Sequence, residues 1–387
     1  MNPKPNQGQT GGIYVHIPFC MSKCPYCDFY SITDTSLKQR FISALIRQMN
    51  LTGNVPFNCD TLYIGGGTPS VLEPKIITQI IDTAFSLYKL SPDSEVTLEI
   101  NPGTVSLEKL IEYKSAGVNR ISLGVQSFEN NNLNFLGRIH TVEDAALAIQ
   151  WVKEADFKNI GIDLIYGIPG QTRQSWLSDL AKAVSYDLQH LSCYMLTYEP
   201  GTTMKEALQQ GSFKAMSGKT LGDLFKTTIE FLTDKEYIQY EISNFAREKS
   251  LRSQHNQKYW LFSPYIGLGP SAHSYIEPRR YWNKVGLEAY LIDVEEERLP
   301  IDGHEVLNRE QMMTESIFLG LRQADGINVA QFNRRFDEDF FIMFGKQIDE
   351  FETKGYMVTN QKSCALTTEG MLVLDSIASM LMASLQG

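Results

Sequence analysis

Three of the six cysteines fall within eight residues, in the run Cys20-Met21-Ser22-Lys23-Cys24-Pro25-Tyr26-Cys27. Three thiolates at this spacing can hold three irons of a cubane cluster and leave the fourth iron without a protein ligand. A metal position lacking a protein ligand is where an outside molecule binds, as the open position of a catalytic zinc illustrates. Rival uses of the cysteines leave something unexplained. A thioredoxin-like dithiol would employ Cys24 and Cys27 and leave Cys20 idle. Zinc would want a fourth cysteine or histidine nearby, where Asp28, Phe29 and Tyr30 stand. Covalent haem attachment would want histidine in place of Asp28. The set points to an iron–sulfur cluster on Cys20, Cys24 and Cys27. Cys59, Cys193 and Cys364 are isolated and read as small buried apolar residues.

Such a loop needs elements to hold it. Short apolar runs over 12–19, 61–64, 95–100, 120–125, 159–165 and 190–196 alternate with amphipathic stretches over 37–51, 75–88, 107–114, 142–154 and 174–184. Continuous apolar strands alternating with helices predict parallel βα units, and six of them suit either a partial (βα)6 barrel or a doubly wound sheet. Chemistry in parallel sheets gathers at the carboxyl ends of the strands. Cys20 follows the first strand and Gly65-Gly66-Gly67-Thr68 the second. Glu99-Ile100-Asn101-Pro102 lies at the third, Gln126 follows the fourth, and Asp163 with Gly167-Ile168-Pro169-Gly170 closes the fifth. One rim can therefore collect them all.

A chain of 387 residues, 43% hydrophobic, can bury one large core and a smaller satellite. The net charge of −10 argues against nucleic acid as the main partner. Residues 1–12 are polar and lack the apolar stretch of a secretory leader, and no run reaches the ~18 apolar residues of a membrane span. A cytoplasmic protein is expected. Beyond about residue 240 the segments 240–245, 255–260 and 265–274 are aromatic-rich, the last also with Gly and Pro, and read as loop-like connectors. From about residue 299 a helical tail is predicted over 305–321, 329–336 and 340–354, then a hairpin over 356–359 and 365–367, together a winged-helix-like domain. Residues 301–387 hold 13 Asp/Glu against 7 Lys/Arg, which favours partner docking over DNA. The expected division is 1–240 for the barrel and its site, 241–298 for a connector, and 299–387 for the C-terminal domain. Gly218-Lys219-Thr220 lacks the first glycine and leading strand of a P-loop, and His304-Glu305 lacks the second histidine of a zincin helix.

Taken in order, Tyr14-Val15-His16-Ile17-Pro18-Phe19-Cys20, the triglycine turn, Glu99-Ile100-Asn101-Pro102-Gly103 and Gly124-Val125-Gln126-Ser127-Phe128 resemble the radical S-adenosylmethionine superfamily. With Leu136-Gly137-Arg138-Ile139-His140 and Asp163-Leu164-Ile165-Tyr166-Gly167-Ile168-Pro169-Gly170-Gln171, the resemblance narrows to the branch of oxygen-independent coproporphyrinogen III oxidases and HemW haem chaperones. It implies a partial (βα)6 barrel, a [4Fe–4S] cluster and S-adenosylmethionine chelating the open iron. Gly66, Gly67 and Thr68 are then expected beside the methionine amine. Glu99, Gln126 and Asp163 are expected on the amine or ribose hydroxyls, and Arg138 facing the carboxylate or positioning Glu99. Tyr14 and Tyr26 are expected to flank the cluster and cofactor.

Within that branch the oxidases resemble C-x3-C-x2-C-x-C, whereas Phe29 stands at the last of those positions here, and their N-terminal extension is absent. Both features resemble HemW, which implies haem as cargo, apo-haemoprotein acceptors such as respiratory or haem-storage proteins, and no coproporphyrinogen III decarboxylation. No nucleic-acid partner is implied, and membrane contact would come only through acceptors. His255-Asn256-Gln257-Lys258-Tyr259-Trp260 matches the stretch associated with haem in that family, which implies a loop histidine, His255, as a haem ligand, with His273 a second candidate. The alternative is a radical enzyme acting on a tetrapyrrole, such as a coproporphyrinogen III oxidase.

Overall fold

A computed structural model describes residues 10–383, so the expectation of no leader falls mostly outside the described residues. The six predicted strands form: β1 (Gly11–Ile17), β2 (Cys59–Gly66), β3 (Glu95–Ile100), β4 (Arg120–Gln126), β5 (Asn159–Tyr166) and β6 (His190–Met195). They lie side by side in chain order and all run parallel. Helices Lys38–Thr52, Pro74–Leu87, Leu107–Ser115, Val142–Glu154 and Arg173–Ser185 make the crossovers. A doubly wound sheet reverses its strand order part-way. A sequential order instead keeps right-handed crossovers on one face and curls the sheet around the other, as in a partial (βα)6 barrel.

The register explains why the two faces differ. Ile13, Leu62 and Val96 align across β1–β3, as do Ile64, Leu98, Ile121 and Ile160 across β2–β5, and all are buried against the helices. One residue along, Tyr14, Tyr63, Thr97 and Arg120 align on the opposite face, with Glu99, Ser122, Gly161 and His190 in another row. Period-two alternation thus gives each strand an apolar side under the helices and a polar side lining the hollow. Helix starts are fixed locally: Thr141 and Asp144 cap Val142–Glu154 reciprocally, and Thr172 with Ser175 does the same for Arg173–Ser185.

The connectors read as loops are mostly regular. They supply β7 (Ile238–Glu241), β8 (Asn244–Ala246), β9 (Tyr265–Leu268), β10 (His273–Ile276), β11 (Arg279–Asn283) and the helix Gln254–Trp260. With β12 (Ile301–Val306) they extend the sheet at both edges, in the order β12-β11-β10-β9-β1-β2-β3-β4-β5-β6-β8-β7. β9 pairs parallel to β1, and the outer strands are antiparallel. The aromatics that suggested irregularity bury instead on the edges, Tyr240 and Phe245 among them. The helical tail likewise begins as a strand: β12 alternates half-buried and exposed residues, and the helix Arg309–Leu321 starts only after the Asn308–Gln311 capping box. Two further helices, Val329–Phe336 and Phe340–Thr353, precede a hairpin of β14 (Met357–Thr359) and β15 (Ser363–Leu366), to which β13 (Ile327–Asn328) adds a third strand. No helix among the described residues is long and apolar enough to cross a membrane.

Candidate functional site

The predicted residues do collect at the carboxyl rim. Beyond β1 the chain closes a loop on itself: Cys20 N–H donates to the Ile32 carbonyl at 2.9 Å, and Ile32 N–H to that of Pro18 at 2.7 Å. Cys20, Cys24 and Cys27 inside it are free thiols, Cys20 buried and the others half-buried. Pro25 is held from two sides. A Cβ on Gly137 would come within 2.5 Å of its ring, and its carbonyl accepts from Met204 N–H at 2.9 Å. A small apolar cluster of Leu136, Ile165, Ile168, Leu196 and Met204 packs against Tyr26. Among the described residues no three ligating side chains converge as one metal ion requires. A cubane cluster spreads its thiolates over three irons, and that donor set fits the loop.

The triglycine turn is pressed from within the chain. Gly66 has φ +107°, and a Cβ there would lie 2.7 Å from the His16 ring; one on Gly67 would lie 2.7 Å from the Phe19 carbonyl and 3.0 Å from Cys20 Sγ. Gly66 N–H donates to Glu99 Oε2 at 3.1 Å, and the Tyr63 hydroxyl donates to Oε1 at 2.6 Å. Burial pushes Glu99 up to about 7; these donors oppose the shift and the Asp163 charge adds to it. Asp163, also raised by burial, accepts from Ser122 Oγ at 3.3 Å. Gln126 ends β4 with φ +69° beside a register shift, a conformation that costs a non-glycine residue about 1–3 kcal/mol and clusters at functional sites.

Arg138 sits between the loop and the rim. Its guanidinium donates to Cys24 Sγ at 3.4 Å, to the Tyr26 hydroxyl at 3.5 Å, to the Gly124 carbonyl at 2.9 Å and to Asn101 Oδ1. Its buried Nε has no hydrogen-bond partner among the described residues and can serve an arriving acceptor. The guanidinium thus positions Asn101 and the Cys24 loop rather than Glu99. Thr68 does not stand free to meet a ligand either: its hydroxyl donates to Cys20 Sγ at 3.5 Å and accepts from Asn101 Nδ2 at 2.9 Å. Tyr14 donates to His16 Nδ1 at 3.0 Å, and His16 Nε2 reaches the Tyr30 carbonyl at 2.8 Å, which ties the loop's far end to β1. Burial holds His16 down to about 4, so it serves as a neutral strut.

His255 is placed differently from the loop position expected of a haem ligand. It lies in the helix Gln254–Trp260, is 1% exposed, and sits at the opposite end of the hollow. Nδ1 pairs with Thr61 Oγ1 at 2.8 Å and Nε2 with the Tyr259 hydroxyl at 3.0 Å, while the ring stacks on Tyr63 at 5.0 Å. Its backbone N–H donates to Glu95 Oε1 at 3.0 Å. Burial, then the charge on Lys258, holds it down to about 3. Both ring nitrogens are thus engaged within the protein, and the imidazole is buried in a helix rather than carried on the expected loop. His273 is exposed on β10 and stacks on Trp282.

The "Radical SAM superfamily" model matches residues 14–183, and the "HemN C-terminal domain" model matches 307–373. The chain is 34% identical to "Heme chaperone HemW" of Bacillus subtilis (strain 168), over 93% of this chain and 96% of that protein. The chain belongs to the HemW family. The Lactococcus lactis protein of the same name is 33% identical over 96% of this chain and 95% of its own length. A solved coproporphyrinogen III oxidase (HemN) from Escherichia coli superposes with a TM-score of 0.81 over 96% of this chain and 90% of that one, at 23% identity, and shares the fold. In this HemW-family chain Phe29 is 65% exposed on the cysteine loop, and Met21 is 63% exposed.

The placement of the cysteine loop, Glu99, Gln126 and Asp163 at strand ends follows from the sequence alone, and Arg138 from its motif. Tyr63, Asn101, His16 and Ser122 were not singled out. Two signals existed: Tyr63 and His16 share strand parity with Gly65 and Tyr14, and Asn101 lies inside the quoted Glu99-Ile100-Asn101-Pro102 stretch.

Proposed function

We propose that this chain is a haem chaperone, which binds haem and hands it to apo-haemoproteins, and that it carries a [4Fe–4S] cluster on Cys20, Cys24 and Cys27. The observation that carries the reading is full-length likeness to HemW proteins together with a three-thiol loop whose next candidate ligand position is Phe29. The donor set favours such a cluster: Arg138 and Thr68 direct N–H and O–H groups at two of the three sulfurs, as thiolates require. When bound, the cluster and S-adenosylmethionine would supply one-electron chemistry. Glu99 would hold the methionine amine and Arg138 Nε its carboxylate. Gln126 and Asp163 would take the ribose hydroxyls, with Gly66, Gly67 and Thr68 in the adjoining turn and Tyr14 and Tyr26 flanking. This rim belongs to the proposed unit 1–240, joined through 241–298 to the acidic unit 299–387, which would dock acceptors such as respiratory or haem-storage proteins. The action is proposed for the cytoplasm, with membranes met only through such acceptors.

The test is anaerobic incubation of the reconstituted protein with haem and an apo-haemoprotein, and separately with coproporphyrinogen III. Retained haem that moves to the acceptor, with no decarboxylation, is the expected outcome. Sustained formation of protoporphyrinogen IX with no haem retained overturns the reading in favour of a tetrapyrrole-modifying enzyme.

A further inference from the structure

The geometry points to Thr68 and Asn101 as positioning residues that carry the charge of Arg138 from Cys24 across to Cys20 and so set the reduction potential of the group those cysteines hold. The inference rests on the cluster reading above. Its basis is the direction of each hydrogen bond. A guanidinium can only donate, so Asn101 must turn Oδ1 toward Arg138, which leaves Nδ2 to donate to Thr68 Oγ1 at 2.9 Å. The Thr68 hydroxyl, already accepting, sends its own proton to Cys20 Sγ at 3.5 Å. The other guanidinium nitrogen donates directly to Cys24 Sγ at 3.4 Å. Both branches of this relay therefore point away from one fixed positive charge and end on a cysteine sulfur, Cys24 directly and Cys20 through Asn101 and Thr68.

The relay is held in register by groups that touch no cysteine. Asn101 N–H donates to Ser70 Oγ at 3.2 Å, and its carbonyl accepts from Thr104 Oγ1 at 2.9 Å. Ser70 Oγ and Thr104 Oγ1 lie 2.5 Å apart, which closes the brace. Thr68 is 4% exposed, and in so dry a site aligned hydrogen bonds polarise one another. Donors aimed at cluster sulfurs stabilise the more negative, reduced state and raise the potential. Cys27 lies outside the relay and has the Phe29 backbone N–H as its donor instead.

The experiment is a potentiometric titration of the anaerobically reconstituted full chain, read by the electron paramagnetic resonance signal of the reduced cluster. Thr68→Val keeps the shape and removes the donor. Asn101→Leu cuts the link without touching a cysteine and carries the test should Thr68→Val fail to load. Both variants should retain iron and shift the midpoint downward, with at least a threefold lower reduced-to-oxidised ratio at the wild-type midpoint, roughly 30 mV for a one-electron couple. Thr68→Ser should stay close to wild type. Loaded variants with unmoved midpoints overturn the relay alone, whereas a wild-type protein that takes up no cluster overturns the reading beneath it as well.

Discussion

Glu99 is held by one hydroxyl, one backbone N–H and a strand end that buries it, and its ionisation is accordingly poised near neutrality. Its folded pKa of about 7 lies above the ordinary carboxylate value of 4.5. Between those two values the unfolded chain has released the proton while the folded one keeps it, so this group's contribution to stability falls as pH rises through that window and is level above it. A carboxylate free to accept from the amine N–H groups appears only as pH passes about 7. S-adenosylmethionine affinity should therefore rise about tenfold from pH 6 to pH 8, and Glu99→Gln should bind weakly with a flat profile. A flat wild-type profile in equilibrium binding would remove Glu99 from the amine site. The cysteines give a sharper residue-scale outcome. Reconstitution should load about four irons per chain, and alanine at Cys20, Cys24 or Cys27 should each abolish most of it. Full loading in Cys20→Ala alone would favour a dithiol.

At the scale of elements, the helix Gln254–Trp260 closes the hollow at the end opposite the cysteines, and His255 is its anchor. Removing the imidazole strips partners from the Thr61 and Tyr259 hydroxyls and unstacks Tyr63. Buried groups left unpaired cost about 1–3 kcal/mol each. His255→Ala should thus destabilise the chain by about 2–4 kcal/mol in urea unfolding, without lowering the iron content of the folded fraction. Unchanged stability with lost haem binding would instead assign His255 the ligand role. The same helix shows where sequence reading stopped. The six parallel strands were legible because each is a continuous apolar run between helical periods, and they need no knowledge of partners. A seven-residue helix is too short for its period to register. The edge strands β7 to β11 are only three to five residues long, too short for a period of two to register, so their aromatics looked like loop residues. Strand-end chemistry was visible through residue type, but the Thr68–Asn101 and Arg138–Cys24 contacts join positions 33 and 114 residues apart and exist only after folding.

The whole molecule is bound together where its C-terminal helices meet the sheet. Arg322 donates to the buried carboxylate of Glu241 beside β8 at 2.6 Å, and Gln323 to the carbonyl of Trp260 at the end of the closing helix at 3.2 Å. The deepest join is Arg335, 4% exposed on the helix Val329–Phe336. It pairs with Glu277 at 2.8 Å, donates to the Tyr275 hydroxyl at 3.3 Å, and lies over the Phe262 ring at 4.5 Å. Its charge and its flat shape are both used, so lysine should replace it poorly. Arg335→Ala leaves Glu277 without its cation in a confined site, a loss worth about 3–5 kcal/mol. Removing both charges spares that penalty, because no uncompensated carboxylate remains. Urea unfolding of Arg335→Met, Glu277→Gln and the double variant should give a coupling energy of at least about 1 kcal/mol, with the double variant more stable than the sum of its parts. Strict additivity would mean that the pair does not join the C-terminal helices to the sheet energetically, and that the aromatic packing around Phe262 holds them instead.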